Sequence, residues 1–97
     1  MSITERFAEN LVRQRRIAGL TQEELAFRAN IHRTQVSLME SGNRLPRLET
    51  LVKIVGALGV SSEALLEGIA WEPTVTTVGQ FKVAETERLT HCPKGRV

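Results

Sequence analysis

Residues 19–61 read GLTQEELAFRANIHRTQVSLMESGNRLPRLETLVKIVGALGVS, and their pattern is the strongest indication of the fold. Apolar residues recur at helical spacing over residues 22–29 and again over residues 33–41. Between the two segments stands Asn30, and asparagine tolerates the left-handed backbone better than any residue except glycine. The stretch therefore predicts two short helices joined by a sharp turn.

Three further helices complete the predicted body. The first covers about residues 4–18 and has an apolar stripe formed by Phe7, Ala8, Leu11, Val12 and Ile17. The fourth covers about residues 48–58, and its apolar residues fall on one side: Leu48, Leu51, Val52, Val55 and Leu58. A fifth helix, at about residues 62–66, follows Ser61 as its N-cap. Two pairs with capping-box spacing mark the starts of the first two helices, Ser2 with Glu5 and Thr21 with Glu24.

The sequence changes character after Gly68. The run Thr74–Val83, TVTTVGQFKV, is rich in β-branched residues and favours an extended strand, with Val75, Phe81 and Val83 on one face. We therefore expect two parts, a helical domain over residues 1–68 and an extended tail over residues 69–97. The tail is a candidate dimerisation strand, and its last residues, from about 86 onward, are expected to be loosely held.

The bulk properties fit one small domain. The chain has 97 residues, 41% of them hydrophobic and only 4% aromatic, which suits a core of packed helices. The net charge is +2, but residues 28–47 hold four arginines against one glutamate. Such a basic run is equally typical of a solvated face and of a nucleic-acid contact, so charge alone does not decide between them.

The third helix offers one face for packing and another for binding. Val36 and Met39 form its predicted buried side, and the remaining positions point outward: Arg33, Thr34, Ser37 and Leu38. Arginine can bond guanine O6 and N7 in the major groove, and threonine and serine can bond several base edges. Leucine on an outward face would find a partner in a thymine methyl group. This face is predicted to read DNA bases.

Residues 19–61 resemble the Cro and phage-repressor type of helix-turn-helix domain. The resemblance rests on Thr21-Gln22-Glu23-Glu24-Leu25-Ala26, Val36-Ser37, Glu40-Ser41-Gly42, Pro46 and Leu58-Gly59-Val60, and it extends over about residues 11–66. It implies an all-α, five-helix, lambda-repressor-like DNA-binding domain, here followed by a short extended C-terminal segment.

The resemblance also implies roles for residues outside the third helix. Gln22 would bond a DNA phosphate and brace the recognition helix, and Asn43, Arg44 and Arg47 would grip the DNA backbone. Arg15 and Glu40 match a buried structural ion pair. Two positions depart from the family pattern. Asn30 replaces the usual turn glycine, and His32 replaces a capping serine or threonine, which predicts a weakened N-cap on the third helix.

Several classes of function find no support in the sequence. His91 and Cys92 are adjacent, but no second Cys/His pair completes a zinc site, so a free tail thiol is expected. We expect no enzyme activity, because no catalytic constellation is visible, and no cofactor. No signal segment or membrane-spanning run is visible, and a cytoplasmic location is expected.

The sequence thus predicts a transcriptional regulator that binds a palindromic or pseudopalindromic operator in double-stranded DNA as a homodimer. In relatives, the fourth and fifth helices are the usual contact between subunits. An alternative of another class is an antitoxin or adaptor whose tail binds a protein. Its motivation is the unassigned stretch from Ile69 onward, with Trp71 and Phe81.

Overall fold

The computed structural model describes residues 1–73 and 79–84. Five helices are followed by a two-stranded sheet: α1 (Ile3–Ile17), α2 (Gln22–Ala29), α3 (Arg33–Glu40), α4 (Leu48–Leu58), α5 (Ser62–Leu66), β1 (Ile69–Glu72) and β2 (Gln80–Val83). The predicted five-helix architecture is confirmed, with helix ends within one residue of the expected positions.

Local side-chain bonds explain where the first two helices begin. The Ser2 hydroxyl accepts from the Glu5 N–H, and the Glu5 carboxylate accepts from the Ser2 N–H. Thr21 and Glu24 repeat this reciprocal pattern at the start of α2. Each box satisfies one free N–H inside its helix and that of the capping residue. Ser61 occupies the N-cap of α5, but within the described residues its side chain makes no capping bond, unlike the expectation.

The turn between α2 and α3 depends on Asn30, whose φ of 57° and ψ of 47° are left-handed. The expectation for the next cap was wrong. His32 does cap α3, because its Nδ1 accepts from the Thr34 N–H at 3.1 Å. An imidazole nitrogen is an acceptor when it carries no proton, so histidine can replace the hydroxyl of serine or threonine here.

The core lies where α1, α2, α3 and α4 converge and is closed by α5. Its fully or nearly buried apolar residues are Phe7, Leu11, Leu25, Ala26, Ala29, Val36, Met39, Ile54, Leu58 and Leu65. Two predicted faces need correction. Ile17 is 72% exposed at the end of α1, and on α4 the exposed residues are Leu48 and Val52 while Ile54 is fully buried. Because α4 is apolar around most of its circumference, periodicity alone could not fix which side packs inward.

The strands form an antiparallel hairpin in which Ile69 pairs with Val83 and Trp71 with Phe81. The sequence predicted one strand over residues 74–83 and missed β1, which begins five residues earlier. Ile69 packs against the helical core, whereas Trp71 and Phe81 are about half exposed. Val75, the expected loose end from residue 86 onward, and His91 with Cys92 lie outside the described residues.

Two buried polar side chains on α1 fasten the hairpin to the helices. Arg6 donates from Nε to the Glu67 carbonyl at 3.0 Å and from Nη1 to the Ala84 carbonyl at 3.1 Å. Asn10 donates from Nδ2 to the carbonyls of Leu65 and Glu67 at 2.8 and 3.0 Å. Of these four bonds, only the one from Arg6 to Ala84 crosses the predicted boundary at residue 68. The division into two domains stays a prediction. Over the described ranges, no helix has the length and apolar character needed to traverse a lipid bilayer.

Candidate nucleic-acid interface

Helix α3 is held against the body by one side only. Val36 and Met39 are at most 1% exposed and pack among residues of α1 and α2. Ala26, which is 4% exposed on α2, has a side chain small enough to let the two helices approach closely. The opposite side of α3 is therefore free for a partner.

The structure brings three predicted base-reading residues together on that free side. Arg33, Thr34 and Ser37 are all exposed at consecutive positions of the same face. Leu38 differs, because it lies half-buried at the edge of this face rather than fully outward. The polar part of the face is thus more accessible than its apolar part.

An ion pair beneath α3 anchors its C-terminal end. Arg15 donates from Nε to Glu40 Oε2 at 2.6 Å and from Nη2 to Glu40 Oε1 at 3.0 Å, a bidentate arrangement. The two side chains are 13% and 5% exposed. The hydrogen bond to Glu40 raises the pKa of Arg15 above its ordinary value, so the guanidinium remains charged. The family resemblance implied this pair, and the structure brings the two side chains together.

Gln22 joins the same group. Its Nε2 donates to Glu40 Oε1 at 2.9 Å, which links the first residue of α2 to the last residue of α3. A glutamine amide carries two N–H donors, so one remains after this bond. The arrangement therefore braces α3 and leaves a donor for a second acceptor.

The loop after α3 carries the other predicted backbone contacts. Asn43, Arg44 and Arg47 are all exposed. The Asn43 N–H donates to the Leu38 carbonyl at 3.0 Å, and its Nδ2 donates to Ser41 Oγ at 2.8 Å. These bonds fix the start of the loop on the end of α3, and Arg44 follows directly in solvent.

One basic residue was missed by the sequence reasoning. Arg44 and Arg47 line an open cleft between the start of α3 and the start of α4, and Lys53 and His32 line it too. Lys53 lies on α4, whereas the two arginines lie in the loop before it, and only the fold shows that they share a cleft. In the described residues, no group of three or more His, Cys, Asp or Glu side chains could hold a metal ion.

Known proteins resemble this chain over the region that contains α2 and α3. The profile of the family described as Helix-turn-helix matches residues 12–65. The chain is similar to the control protein C.BamHI of Bacillus amyloliquefaciens, with 43% identity over 58 residues, which are 58% of this chain and 72% of that protein. It is also similar to the cryptic phage CTXphi transcriptional repressor RstR of Vibrio cholerae, with 40% identity over 57 residues, covering 59% of this chain and 51% of the repressor.

The fold has solved relatives as well. The crystal structure of the restriction-modification controller protein C.AhdI from Aeromonas hydrophila superposes with a TM-score of 0.62 at 32% identity. The match covers 64% of this chain and 94% of C.AhdI. The family profile ends at residue 65 and does not reach the hairpin.

Proposed function

The chain belongs to the Cro/C1-type helix-turn-helix family of DNA-binding transcription regulators, and from this premise we propose that it binds a palindromic operator as a homodimer. Helix α3 enters the major groove of each half-site, which is about 12 Å wide and admits one helix. Since operators are chromosomal or plasmid DNA, the activity is exercised in the cytoplasm.

One observation carries the base-reading role. Helix α3 is fixed from behind by Val36, Met39 and the ion pair of Glu40, while Arg33 and Thr34 stand free at its N-terminal end. Recognition helices of this type contact base edges with their N-terminal residues. Arg33 bonds guanine in this proposal, and Thr34 and Ser37 bond neighbouring base edges. Leu38 meets a thymine methyl group from the rim of the face.

The phosphate contacts flank this face. Gln22 uses its remaining amide donor at one side, and Asn43, Arg44 and Arg47 bind the backbone at the other. Their charge supplies affinity that is independent of sequence and weakens as salt concentration rises. The base contacts then select the site.

Dimerisation is supported by the exposed face of α4. Leu48 is 77% exposed and Val52 is 62% exposed, and the two lie one helical turn apart. Leu66 on α5 is 42% exposed. Exposure of such an apolar strip to water is unfavourable, and strips of this kind are typical of protein–protein contacts. A two-fold axis here presents two α3 helices to half-sites about 34 Å apart.

Selection from a random duplex pool tests the proposal. The full chain is expected to enrich an inverted repeat whose half-sites are separated by about one turn of DNA. Absence of binding to every duplex at low salt, or enrichment of a motif without two-fold symmetry, contradicts it.

The hairpin favours a second candidate, a protein-binding module of antitoxin or adaptor type. The rings of Trp71 and Phe81 meet edge to face with centroids 5.2 Å apart, and each side chain is about half exposed. Exposed aromatic pairs are typical of protein contacts. A Trp71→Ser/Phe81→Ser variant that keeps operator binding and loses a co-purifying protein supports this candidate, and one that loses neither contradicts it.

A further inference from the structure

The N-cap of α3 and a predicted base-reading residue share one nitrogen atom. His32 Nδ1 accepts from the Thr34 backbone N–H at 3.1 Å, and the same nitrogen contacts Thr34 Oγ1. Both residues are exposed at the end of α3 that faces DNA in the proposed function. The hydroxyl of Thr34 therefore cannot rotate independently of the imidazole.

The positions of the protons follow from what each group can donate. A backbone N–H can only donate, so Nδ1 must be the unprotonated nitrogen of a neutral ring, and the ring proton is on Nε2. An oxygen lone pair directed at the Nδ1 lone pair would be repulsive. The Thr34 hydroxyl must consequently direct its own proton at Nδ1, which then accepts from two donors of the same residue, the N–H and the O–H.

We propose that His32 thereby makes Thr34 a reader of amino groups. With its proton directed at Nδ1, Thr34 Oγ1 presents only lone pairs to the groove and can accept but not donate. In the major groove, adenine N6 and cytosine N4 are donors, whereas guanine O6 and N7 and thymine O4 are acceptors. Thr34 therefore selects adenine or cytosine at the base it contacts. His32 acts as a positioning residue, and the inference rests on the proposed function.

Ser37 provides an internal comparison. Within the described residues its hydroxyl has no hydrogen-bond partner, and it is exposed on the same face one turn further along α3. A free hydroxyl can turn to donate or to accept. The two hydroxyls on one helix are thus expected to differ in stringency, with discrimination at the Thr34 base and tolerance at the Ser37 base.

The experiment uses the full chain and the operator obtained by selection. All four base pairs are placed at each half-site position, and the dissociation constants are measured for the wild type and for Thr34→Val, which has nearly the same shape but no hydroxyl. The position whose preference disappears in Thr34→Val is the Thr34 contact. The wild type is expected to prefer adenine or cytosine there by about tenfold, the order usual for one base contact.

Two substitutions at residue 32 separate positioning from capping. Glycine is an adequate N-cap but has no side-chain acceptor, so His32→Gly frees the Thr34 hydroxyl at small cost to the helix. The tenfold preference is expected to fall to about twofold or less in this variant. Asparagine caps well and offers a carbonyl acceptor, so His32→Asn is expected to restore the preference.

The possible outcomes distinguish failure of the His32–Thr34 inference from failure of the proposed operator binding. If the wild type enriches no duplex, the proposed function fails and the inference fails with it. If an operator is enriched but the Thr34 position prefers guanine or thymine, or if no position responds to Thr34→Val, only the inference is overturned. An unchanged preference in His32→Gly likewise overturns the role of His32 and leaves operator binding intact.

Discussion

The guanidinium of Arg6 donates to the carbonyl of Ala84, 78 positions later in the chain, over 3.1 Å. A second bond from the same side chain reaches the Glu67 carbonyl, so one buried residue of α1 holds both ends of the hairpin. Cutting the chain after Gly68 would therefore remove an acceptor of a buried cation together with the hairpin. Point substitutions separate these effects better than truncation does.

Replacing this residue is expected to release the hairpin. Arg6→Met keeps much of the apolar stem but removes the side-chain donor to the Ala84 carbonyl and one of the two side-chain donors to the Glu67 carbonyl. We expect a loss of about 2 kcal/mol in the free energy of unfolding. Amide hydrogen exchange is expected to accelerate in β1 and β2 more than in α2 and α3. Arg16→Met, at an exposed position of the same helix, is the control. Unchanged protection of the strands in Arg6→Met would contradict the fastening role.

The ion pair beneath α3 is expected to dominate its stability. Glu40→Ala removes the acceptor of Arg15 and Gln22 and leaves a mostly buried guanidinium uncompensated, so a loss of about 3 kcal/mol is expected. Urea denaturation followed by circular dichroism measures it. Glu49→Ala, on the exposed side of α4, should change the value by about 0.5 kcal/mol or less. A loss in Glu40→Ala no larger than that of the control would show that packing alone holds α3.

Base and phosphate contacts are expected to respond differently to the loss of an arginine. Arg33→Ala should lower affinity for the operator by about 1–3 kcal/mol and relax the preference at one base pair. Arg44→Ala should weaken operator and random duplex alike and reduce the salt slope by about one. Titrations at several salt concentrations, with both duplexes, give both quantities. Equal losses on the two duplexes in Arg33→Ala would rule out base reading by this residue.

A charge on the exposed strip of α4 is expected to break the dimer. Val52→Glu places a carboxylate in the proposed contact, and sedimentation velocity should show a monomer that keeps its helical content. Lys53→Glu, next along the helix and also exposed, changes the charge more and should leave the dimer intact. Operator affinity should fall with dimerisation in Val52→Glu, because one half-site alone supplies too few contacts. If the Val52→Glu variant remains a dimer, the exposed strip of α4 is not the contact between subunits.

The first capping box is expected to contribute to acid sensitivity. Hydrogen bonds from Ser2, first from its backbone N–H, hold the pKa of Glu5 below its ordinary value of 4.5. A carboxyl whose pKa is lower in the folded state stabilises the fold above its unfolded pKa and loses that contribution as the pH falls through the folded value. Glu5→Gln should therefore flatten the decline in melting temperature between about pH 5 and pH 3. Glu23→Gln, exposed in the first turn of α2, serves for comparison, and an equal flattening there would contradict the assignment to Glu5.

The helices could be predicted from the sequence because the bonds that begin and end them join residues close together in the chain. The bounds of α2, the left-handed Asn30 and both capping boxes depend on bonds between residues at most four positions apart, so the sequence alone contains the interacting partners. The pairing of Arg15 with Glu40 is not local, and it was anticipated from a family resemblance rather than from spacing. The capping bond of His32 is also local, since it joins residues two positions apart. It was not predicted, because histidine is uncommon at N-caps and the ability of its unprotonated nitrogen to accept a hydrogen bond was not considered.

The number of helices and their order could be derived from the amino-acid sequence alone, because periodic burial and capping depend on residues within each segment. Three features could be seen only in the folded molecule: Ile54 rather than Val52 enters the core, β1 begins at Ile69, and Arg6 is buried next to the hairpin. These outcomes depend on contacts between residues distant in the chain, such as Ile69 with Val83, 14 positions apart, and Arg6 with Ala84, 78 positions apart. A helix that is apolar on several sides, or a short strand, has no preference of its own until a distant partner supplies the other half of the contact.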